Sequence, residues 1–158
     1  MTRNPPQLRR TGRSLPIALL RAREHVMAPI REMLAETGIN EQKWRVLRVV
    51  DEIGPAEQTQ IADAACLRLP SLTRILSTME RDGLIERDTD ARDRRKTIVT
   101  LRPAGRELIA RHAARSHEIM DRIEARIGPD RLAQLLDLLE DLARSEDRSS
   151  PTEPSRQS

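Results

Sequence analysis

Apolar residues recur at the spacing of a helix along most of this chain of 158 residues. Between residues 14 and 38 they form one stripe, which Gly38 ends. The stripe comprises Pro16, Leu19, Leu20, Met27, Ile30 and Leu34. Ser14 suits the N-cap position, whereas Pro29 lies where a proline kinks or divides a helix. The pattern therefore predicts a first helix that begins at Ser14 and bends or breaks near Pro29.

Helical spacing continues through three further segments up to residue 83. The first begins after Asn40, which suits the N-cap position, and ends at Gly54 and Pro55. Two shorter segments follow, at residues 56–67 and 69–83. Pro70 fits the first turn of the last segment, where a proline costs the helix little. We expect three helices here, the last two of them short.

The pattern then changes to the alternation of strands. LIER at 84–87 and KTIVTL at 96–101 each alternate apolar and polar residues. The residues between them, 88–95, form the tip of the predicted hairpin. Two short helices followed by a two-stranded hairpin are the order of a winged helix-turn-helix, so the chain is predicted to be mostly α-helical. In such a unit the second short helix enters the major groove of DNA.

Two long helical segments complete the pattern, at residues 102–128 and 129–145. The second carries a wide apolar face. That face comprises Leu132, Leu135, Leu136, Leu138, Leu139 and Leu142. It is too broad for a single terminal helix, which indicates that the two segments need partners. Residues 1–13 have the composition of a flexible arm, and residues 146–158 that of a disordered tail.

Composition narrows the class of protein. Apolar residues make up 37% of the chain and aromatic residues 1%, which favours helices over a strand-rich fold. The formal net charge is only +3 and does not itself indicate a nucleic-acid partner. A single cysteine, Cys66, and the lack of a long apolar run favour a cytoplasmic protein without disulfides. No phosphate-binding loop or nucleophile motif is present, so we do not expect an enzyme.

The second short helix and the hairpin tip supply the candidate DNA contacts. Arg can bridge guanine, and Ser and Thr can reach bases or phosphates. The expected contacts on the helix are Pro70, Ser71, Thr73, Arg74 and Thr78. The wing would carry its arginines to the flanking minor groove, with Asp93 bracing Arg94 or Arg95 by an ion pair. The expected contacts on the wing are Asp90, Arg92, Asp93, Arg94, Arg95 and Lys96. A solvated hairpin is the alternative for these charges.

The stretch LTRILSTMERDGLIERDTDARDRRKTIVTLRPAG resembles the signature of the MarR family of bacterial transcription regulators. The resemblance extends over roughly residues 14–145. One departure is Arg102, where the family usually has threonine before the last helices, which puts the usual helix cap in doubt. The stretches SLPIALLRARE, QKWRVLRVV and RLPSLTRILSTMERDGL are similar to regulators of homoprotocatechuate and hydroxyphenylacetate degradation.

The resemblance implies a homodimer that binds a palindromic operator. Residues 14–39 and 102–145 would form the dimerisation helices, and residues 40–101 the DNA-binding lobe. The two recognition helices would meet half-sites about 34 Å apart. The similarity within the family implies a repressor of an aromatic-acid catabolic operon, which an aromatic acid or phenol releases from DNA.

Four residues are candidates for binding such an effector. Arg23 lies at the centre of the first apolar stripe, where a charge needs a partner, either a ligand carboxylate or an acidic residue of the dimer. Trp44 can stack on a flat ring, or it can simply pack against the first helix. Ser14 and His25, on the opposite face of the first helix, are weaker candidates.

Two other functions are alternatives to a repressor released by an aromatic effector. Cys66 could sense oxidants, although its place at the end of a helix favours buried packing. The second alternative is a DNA-binding regulator with no small-molecule effector. His25, His112 and His117 do not stand at metal-ligand spacing, so we expect neither a metal site nor a cofactor.

Overall fold

The computed structural model describes residues 10–144. Most of the expected arm at 1–13 and all of the expected tail at 146–158 lie outside these residues. The six helices are α1 Leu15–Ala35, α2 Glu41–Ile53, α3 Gln58–Ala64, α4 Leu69–Arg81, α5 Pro103–Ile127 and α6 Pro129–Arg144. The three strands are β1 Ala56–Glu57, β2 Ile85–Thr89 and β3 Thr97–Leu101. The prediction of a mostly helical winged helix-turn-helix is confirmed.

The first helix differs from the prediction at two points. Ser14 does occupy the N-cap position of α1, but its side chain makes no capping hydrogen bond. Pro29 lies inside α1, which continues to Ala35, so the helix is not divided there, and of the two expected outcomes the bend stays a prediction. Only Met33 and Leu34 of α1 are buried within the chain, while Leu20 is 64% exposed. The apolar stripe is therefore largely uncovered within one chain.

The sheet contains a strand that the hydrophobic pattern did not predict. Its strands lie in the order β1, β3, β2 and all pairs are antiparallel. The short strand β1 pairs Ala56 with Val99 and Glu57 with Ile98. The expected helix at 56–67 is therefore too long at both ends, since α3 begins only at Gln58. Two residues are too few to show an alternating pattern, and the pairing of β1 depends on distant residues.

Backbone geometry ends α3 and α4. Cys66 has a φ of +50°, and the Leu67 N–H donates to the carbonyl of Ala62 at 2.9 Å. Gly83 has a φ of +74°, and the Leu84 N–H donates to the carbonyl of Met79 at 3.0 Å. A left-handed residue just after a helix is a common helix stop, and glycine takes it without strain. The expected cap at Gly83 is confirmed.

One core holds the winged helix-turn-helix together. It contains fully buried side chains from α2, α3, α4, β2 and β3. These are Val46, Leu47, Val50, Ile61, Leu72, Leu76, Met79, Ile85 and Val99. Because one stripe of α4 is anchored there, its opposite side faces solvent. This packing fixes which residues of α4 are available for binding.

The start of α5 lies close to the end of α4. The Arg102 N–H donates to the carbonyl of Leu84 at 3.0 Å, and the Arg102 carbonyl accepts from the N–H groups of Gly105 and Arg106. A β-carbon at Gly105 would overlap the Leu84 carbonyl oxygen, so glycine permits this approach. The side chain of Arg102 points to Glu86, with 3.5 Å between Nε and Oε2.

The chain forms two compact units, with the boundary between Ile119 and Met120 inside α5. The first unit includes α1 and the winged helix-turn-helix, and the second includes α6. The leucines of α6 that are exposed are Leu135, Leu136, Leu138, Leu139 and Leu142. No helix in residues 10–144 combines the length and apolar content that a bilayer span requires. The division into dimerisation helices and DNA-binding lobe stays a prediction.

Candidate nucleic-acid interface and ligand site

The N-terminal half of α4 presents polar side chains to solvent. Pro70, Ser71, Thr73 and Arg74 are exposed, whereas Leu72 beside them is fully buried. No acidic residue lies in the first turn of α4. Because the N-terminal end of a helix carries partial positive charge, this surface suits the phosphates and base edges of DNA.

Three hydroxyl groups of α4 donate hydrogen bonds to the helix itself. Thr73 Oγ1 donates to the carbonyl of Leu69 at 3.0 Å, and Thr78 Oγ1 donates to the carbonyl of Arg74 at 3.2 Å. Ser77 makes the same bond to the carbonyl of Thr73 at 3.0 Å. The guanidinium of Arg74 has no such partner in residues 10–144, so it is available to an external acceptor.

The tip of the wing is shaped by two aspartates. Asp90 Oδ1 accepts from the backbone N–H of Arg92 at 2.6 Å and of Asp93 at 3.2 Å. Asp93 Oδ1 accepts from the backbone N–H of Arg95 at 3.1 Å and from its Nε at 3.2 Å. These bonds from Arg95, together with the nearby charge of Lys96, hold the pKa of the Asp93 carboxyl below its usual value. The brace that Asp93 was expected to provide is formed with Arg95.

Three arginines project from this tip. Arg92 and Arg94 are exposed, and the side chain of Arg95 is 91% exposed despite its bond to Asp93. Lys96 behaves differently, because its Nζ donates to Glu57 Oε1 of β1 at 2.5 Å. That bond raises the pKa of Lys96 above its usual value. The structure therefore separates outward arginines from a lysine that ties the wing to β1.

Two ion pairs that the sequence pattern did not indicate hold α4 in place. Arg87 of β2 donates to Glu80 Oε2 from Nε at 3.0 Å and from Nη2 at 2.7 Å. Lys43 Nζ of α2 donates to Asp82 Oδ2 at 2.8 Å. The hydrogen bond from Arg87 holds the pKa of Glu80 below its usual value, and that from Lys43 lowers the pKa of Asp82. Each pair joins two different elements, so neither has a spacing signal in the sequence.

Of the candidate effector residues, Arg23 has an acidic partner in the same chain. Its Nη2 donates to Oε1 of Glu41, the first residue of α2. The side chain of Arg23 is 54% exposed, so the expected buried position at the centre of an apolar stripe is wrong within one chain. The neighbouring stripe residues Leu19 and Leu20 are themselves exposed, which explains the difference.

Trp44 lies one turn after Glu41 on α2 and is 7% exposed. Its ring meets that of His112 edge to face, with 5.7 Å between the centroids and 87° between the planes. The guanidinium carbon of Arg48 lies 5.9 Å from the indole centroid, within the range of a cation–π contact. Ordinary packing is therefore one role that Trp44 fills.

A buried histidine contacts this indole, and a threonine contacts the histidine in turn. His112 is 2% exposed, and its Nε2 lies 2.8 Å from the hydroxyl of Thr37. Sequence reasoning missed both, because a single buried histidine on a long helix has no distinguishing pattern. Arg48 was detectable in principle, since it follows Trp44 by four residues on one helix face.

Ser14 and His25 are not brought together with Trp44. Ser14 precedes α1, and His25 lines an open depression of about 520 Å³ beside that helix. The other residues of this depression are Arg21, Glu24, Ala28 and Pro29. Neither Arg23 nor Trp44 contributes to it.

Cys66 is exposed, which contradicts the expectation of buried packing. Because α3 ends at Ala64, Cys66 lies beyond the helix, in a left-handed conformation of the turn before α4. Within residues 10–144, no group of three or more His, Cys, Asp or Glu side chains has the arrangement of a metal site.

Comparison with known proteins gives consistent matches. The model of the MarR family matches residues 39–97. The chain is 38% identical over 128 residues to the homoprotocatechuate degradative operon repressor of Escherichia coli. The aligned residues cover 81% of this chain and 86% of that protein.

Two solved structures carry the same fold. NadR in complex with 4-hydroxyphenylacetate is 34% identical, with a TM-score of 0.76, covering 89% of this chain and 98% of that one. The transcriptional repressor CouR bound to a 23-mer DNA duplex is 27% identical, with a TM-score of 0.71, covering 84% of this chain and 94% of that one.

Proposed function

Because this chain belongs to the MarR family of transcriptional regulators, we propose that it represses an operon for the breakdown of an aromatic acid and leaves DNA when that acid binds. The similar repressor from Escherichia coli and the neighbour that holds 4-hydroxyphenylacetate support an effector of the hydroxyphenylacetate or homoprotocatechuate type. The observation that carries the proposal is a single lobe with both an exposed α4 N-terminus and an arginine-bearing wing.

In this proposal α4 reads the major groove and the wing lies over the adjacent minor groove. Ser71 and Arg74 project donors toward the bases, while Pro70, Thr73 and Thr78 complete the surface of α4. Arg92, Arg94 and Arg95 supply the positive charge at the minor groove, where a narrow groove concentrates negative potential. Asp90, Asp93 and Lys96 shape the wing through the bonds described above.

A second copy of the chain would complete the DNA-binding unit. The exposed leucines of α6 and the uncovered stripe of α1 are apolar surfaces of the kind that dimers bury. Residues 14–39 and 102–145 would then form the base of the dimer and residues 40–101 each lobe. Two identical lobes require an operator with two-fold symmetry.

The effector would bind where α1 approaches the start of α2. Arg23 offers a guanidinium for a carboxylate. Trp44, which contacts Arg48, lies one helical turn from Glu41, the acidic partner of Arg23. Ser14 and His25 remain weaker candidates for this site. An effector shifts DNA affinity only if it binds the released state more tightly than the DNA-bound state.

Regulation of transcription requires neither catalysis nor a bound cofactor, so we assign the chain no enzymatic role. A repressor acts on the chromosome, and we accordingly place it in the cytoplasm. A second candidate function is redox sensing, which the exposed thiol of Cys66 before α4 favours. In that case, peroxide would release wild-type protein from DNA and would not release the Cys66→Ser variant.

The deciding experiment is fluorescence anisotropy on the intergenic DNA upstream of the protein's own gene, with and without 4-hydroxyphenylacetate and homoprotocatechuate. We expect tight binding that at least one of the two acids weakens. Tight binding that neither acid changes would leave the DNA-binding function and remove the effector. Absence of binding at low salt would contradict the whole proposal.

A further inference from the structure

Four charged side chains form a cluster between α1 and the start of α2. Arg23, Glu24 and Arg31 come from α1, and Glu41 is the first residue of α2. Glu41 bonds to both arginines, because Oε1 accepts from Arg23 and Oε2 lies 3.5 Å from Nη1 of Arg31. The remaining pair joins Arg31 to Glu24. Glu41 is therefore the centre of the cluster.

Exposure distinguishes the members of the cluster. The side chain of Glu41 is only 19% exposed, compared with 54% for Arg23, 39% for Arg31 and 64% for Glu24. A partly buried carboxylate depends more on its partners than an exposed one does. Glu41 thus lies on the inner side of the cluster, with Arg23 between it and solvent.

The charges of the cluster already cancel. Two guanidinium groups face two carboxylates, so within this cluster an arriving effector carboxylate finds no unpaired positive charge. If it bound Arg23 beside Glu41, two like charges would share one guanidinium, which is unfavourable. Binding of the carboxylate to Arg23 therefore requires that the glutamate bonded to it withdraws. Glu41 is the one that holds Arg23.

We propose that Glu41 is an internal competitor of the effector, occupying Arg23 in the empty protein and giving it up when an aromatic carboxylate binds. This inference rests on the proposed function, because it takes Arg23 as the carboxylate-binding residue. Glu41 can leave at modest cost, since Arg31 and the positive end of α2 still face its carboxylate.

The exchange would also transmit the effector signal. Glu41 begins α2, and Val46, Leu47 and Val50 of the same helix belong to the core of the winged helix-turn-helix. The bond between Arg23 and Glu41 therefore ties α1 directly to the DNA-binding lobe. An effector that breaks this bond removes a constraint on the lobe, in addition to filling the site. Glu41 would influence both the affinity for a carboxylate and the coupling to DNA.

Glu41→Gln tests the competition, with Glu24→Gln as the matched control. Both variants remove one negative charge from the same cluster, but only the first frees Arg23. We expect calorimetric titration with 4-hydroxyphenylacetate to give binding roughly two- to fivefold tighter for Glu41→Gln than for wild type, as for loss of a partly exposed ion pair. Glu24→Gln should change the affinity by less. The uncharged 4-hydroxyphenylacetamide should bind wild type and Glu41→Gln equally.

Three results would overturn the inference while leaving the proposed function in place. The first is an affinity for the acid that Glu41→Gln leaves unchanged. The second is an equal gain in acid affinity in Glu41→Gln and Glu24→Gln. The third is a gain in affinity of Glu41→Gln for the amide as large as that for the acid. Wild type that binds operator but no aromatic acid would instead refute the effector function, and the inference with it. If Glu41→Gln melts before titration, Glu41→Asp keeps the helix-end charge with a shorter reach, and should show a smaller gain of the same sign.

Discussion

Charged side chains of the winged helix-turn-helix divide into those bonded within the protein and those directed to solvent. Asp93, Lys96 and Glu80 have partners that shift their pKa values in the direction of the charged form. Arg74 and Arg94 have exposed side chains without an ion pair in residues 10–144. We infer that the bonded residues fix the shape of the surface, and that the outward arginines would provide its affinity for DNA.

Arg74→Ala tests this division at a single residue. Loss of a guanidinium that contacts a base should weaken operator binding by about tenfold to a hundredfold, corresponding to roughly 1–3 kcal/mol. The measurement is anisotropy on the operator and on DNA of unrelated sequence. Arg81→Ala, at the far end of the same helix, is the control and should have a much smaller effect. Equal losses on both DNAs would show that Arg74 contacts only phosphate.

The exposure of a single residue was predictable where the hydrophobic pattern of its own helix determined its surroundings. The exposure of Ser71 and Arg74 followed from the buried stripe of α4. The exposure of Arg23 did not, since the apolar residues around it are uncovered within one chain. Cys66 was misplaced because α3 ends two residues earlier, at Ala64. His112 had no pattern at all, since its burial depends on Thr37 and Trp44.

Between elements, the position of the recognition helix depends on ion pairs from its C-terminal end. Glu80 joins α4 to Arg87 of β2, and Asp82 joins its end to Lys43 of α2. The wing is tied in turn to β1 by Lys96 and Glu57. We infer that these contacts set the angle between α4 and the wing, which must fit two neighbouring grooves at once.

The pH dependence of stability tests the link between α4 and β2. The folded pKa of Glu80 is lowered, so its stabilising effect is complete above the ordinary pKa, about 4.3, and disappears as pH falls through the lowered value. Glu80→Gln should therefore reduce the melting temperature at pH 7 by roughly 1–4 °C. The difference from wild type should vanish in acid.

Thermal melts of both proteins from pH 3 to pH 8 provide the measurement. Glu107→Gln is the control, because Glu107 forms an exposed ion pair with Arg111 at 3.8 Å. If the difference in melting temperature between wild type and Glu80→Gln stays constant across this pH range, lost packing and not lost charge explains it.

At the scale of elements, the helices and the hairpin were predictable and the short strand was not. Long apolar stripes and the caps at Asn40 and Gly83 located α2 and α4 closely. The hairpin differed by one or two residues, with β2 at Ile85–Thr89 and β3 at Thr97–Leu101. Strand β1 was missed because only its pairing with β3 defines it. Local signals thus located most elements, and tertiary pairing defined the rest.

For the whole molecule, the leucine face of α6 has consequences for assembly. Leu136 is 58% exposed and Leu138 is 60% exposed. Leu138→Glu should raise the dimer dissociation constant by roughly 30-fold or more, because an unpaired charge would be placed in an apolar interface. Analytical ultracentrifugation over a concentration series measures this directly.

The control for the dimer is Ala133→Glu, which adds the same charge on the opposite side of α6. It should leave the dissociation constant near that of wild type. A Leu138→Glu variant that dimerises as tightly as wild type would show that another surface holds the two copies together. Operator affinity should fall together with dimerisation, since each lobe alone contacts one half-site.

The three hydroxyls of α4 that bond to their own helix limit what DNA can offer them. Each hydroxyl has one hydrogen. Those of Ser77 and Thr78 are directed to carbonyl groups, and that of Thr73 has two acceptors within the chain, the Leu69 carbonyl and Gln58 Oε1. Phosphate oxygens have only lone pairs, so they find nothing to accept there. The complementary groups are the exocyclic amines of adenine and cytosine, and the thymine methyl for the methyl groups of the two threonines. We infer that in this conformation the middle of α4 would discriminate by what a base donates, and the arginines by what it accepts.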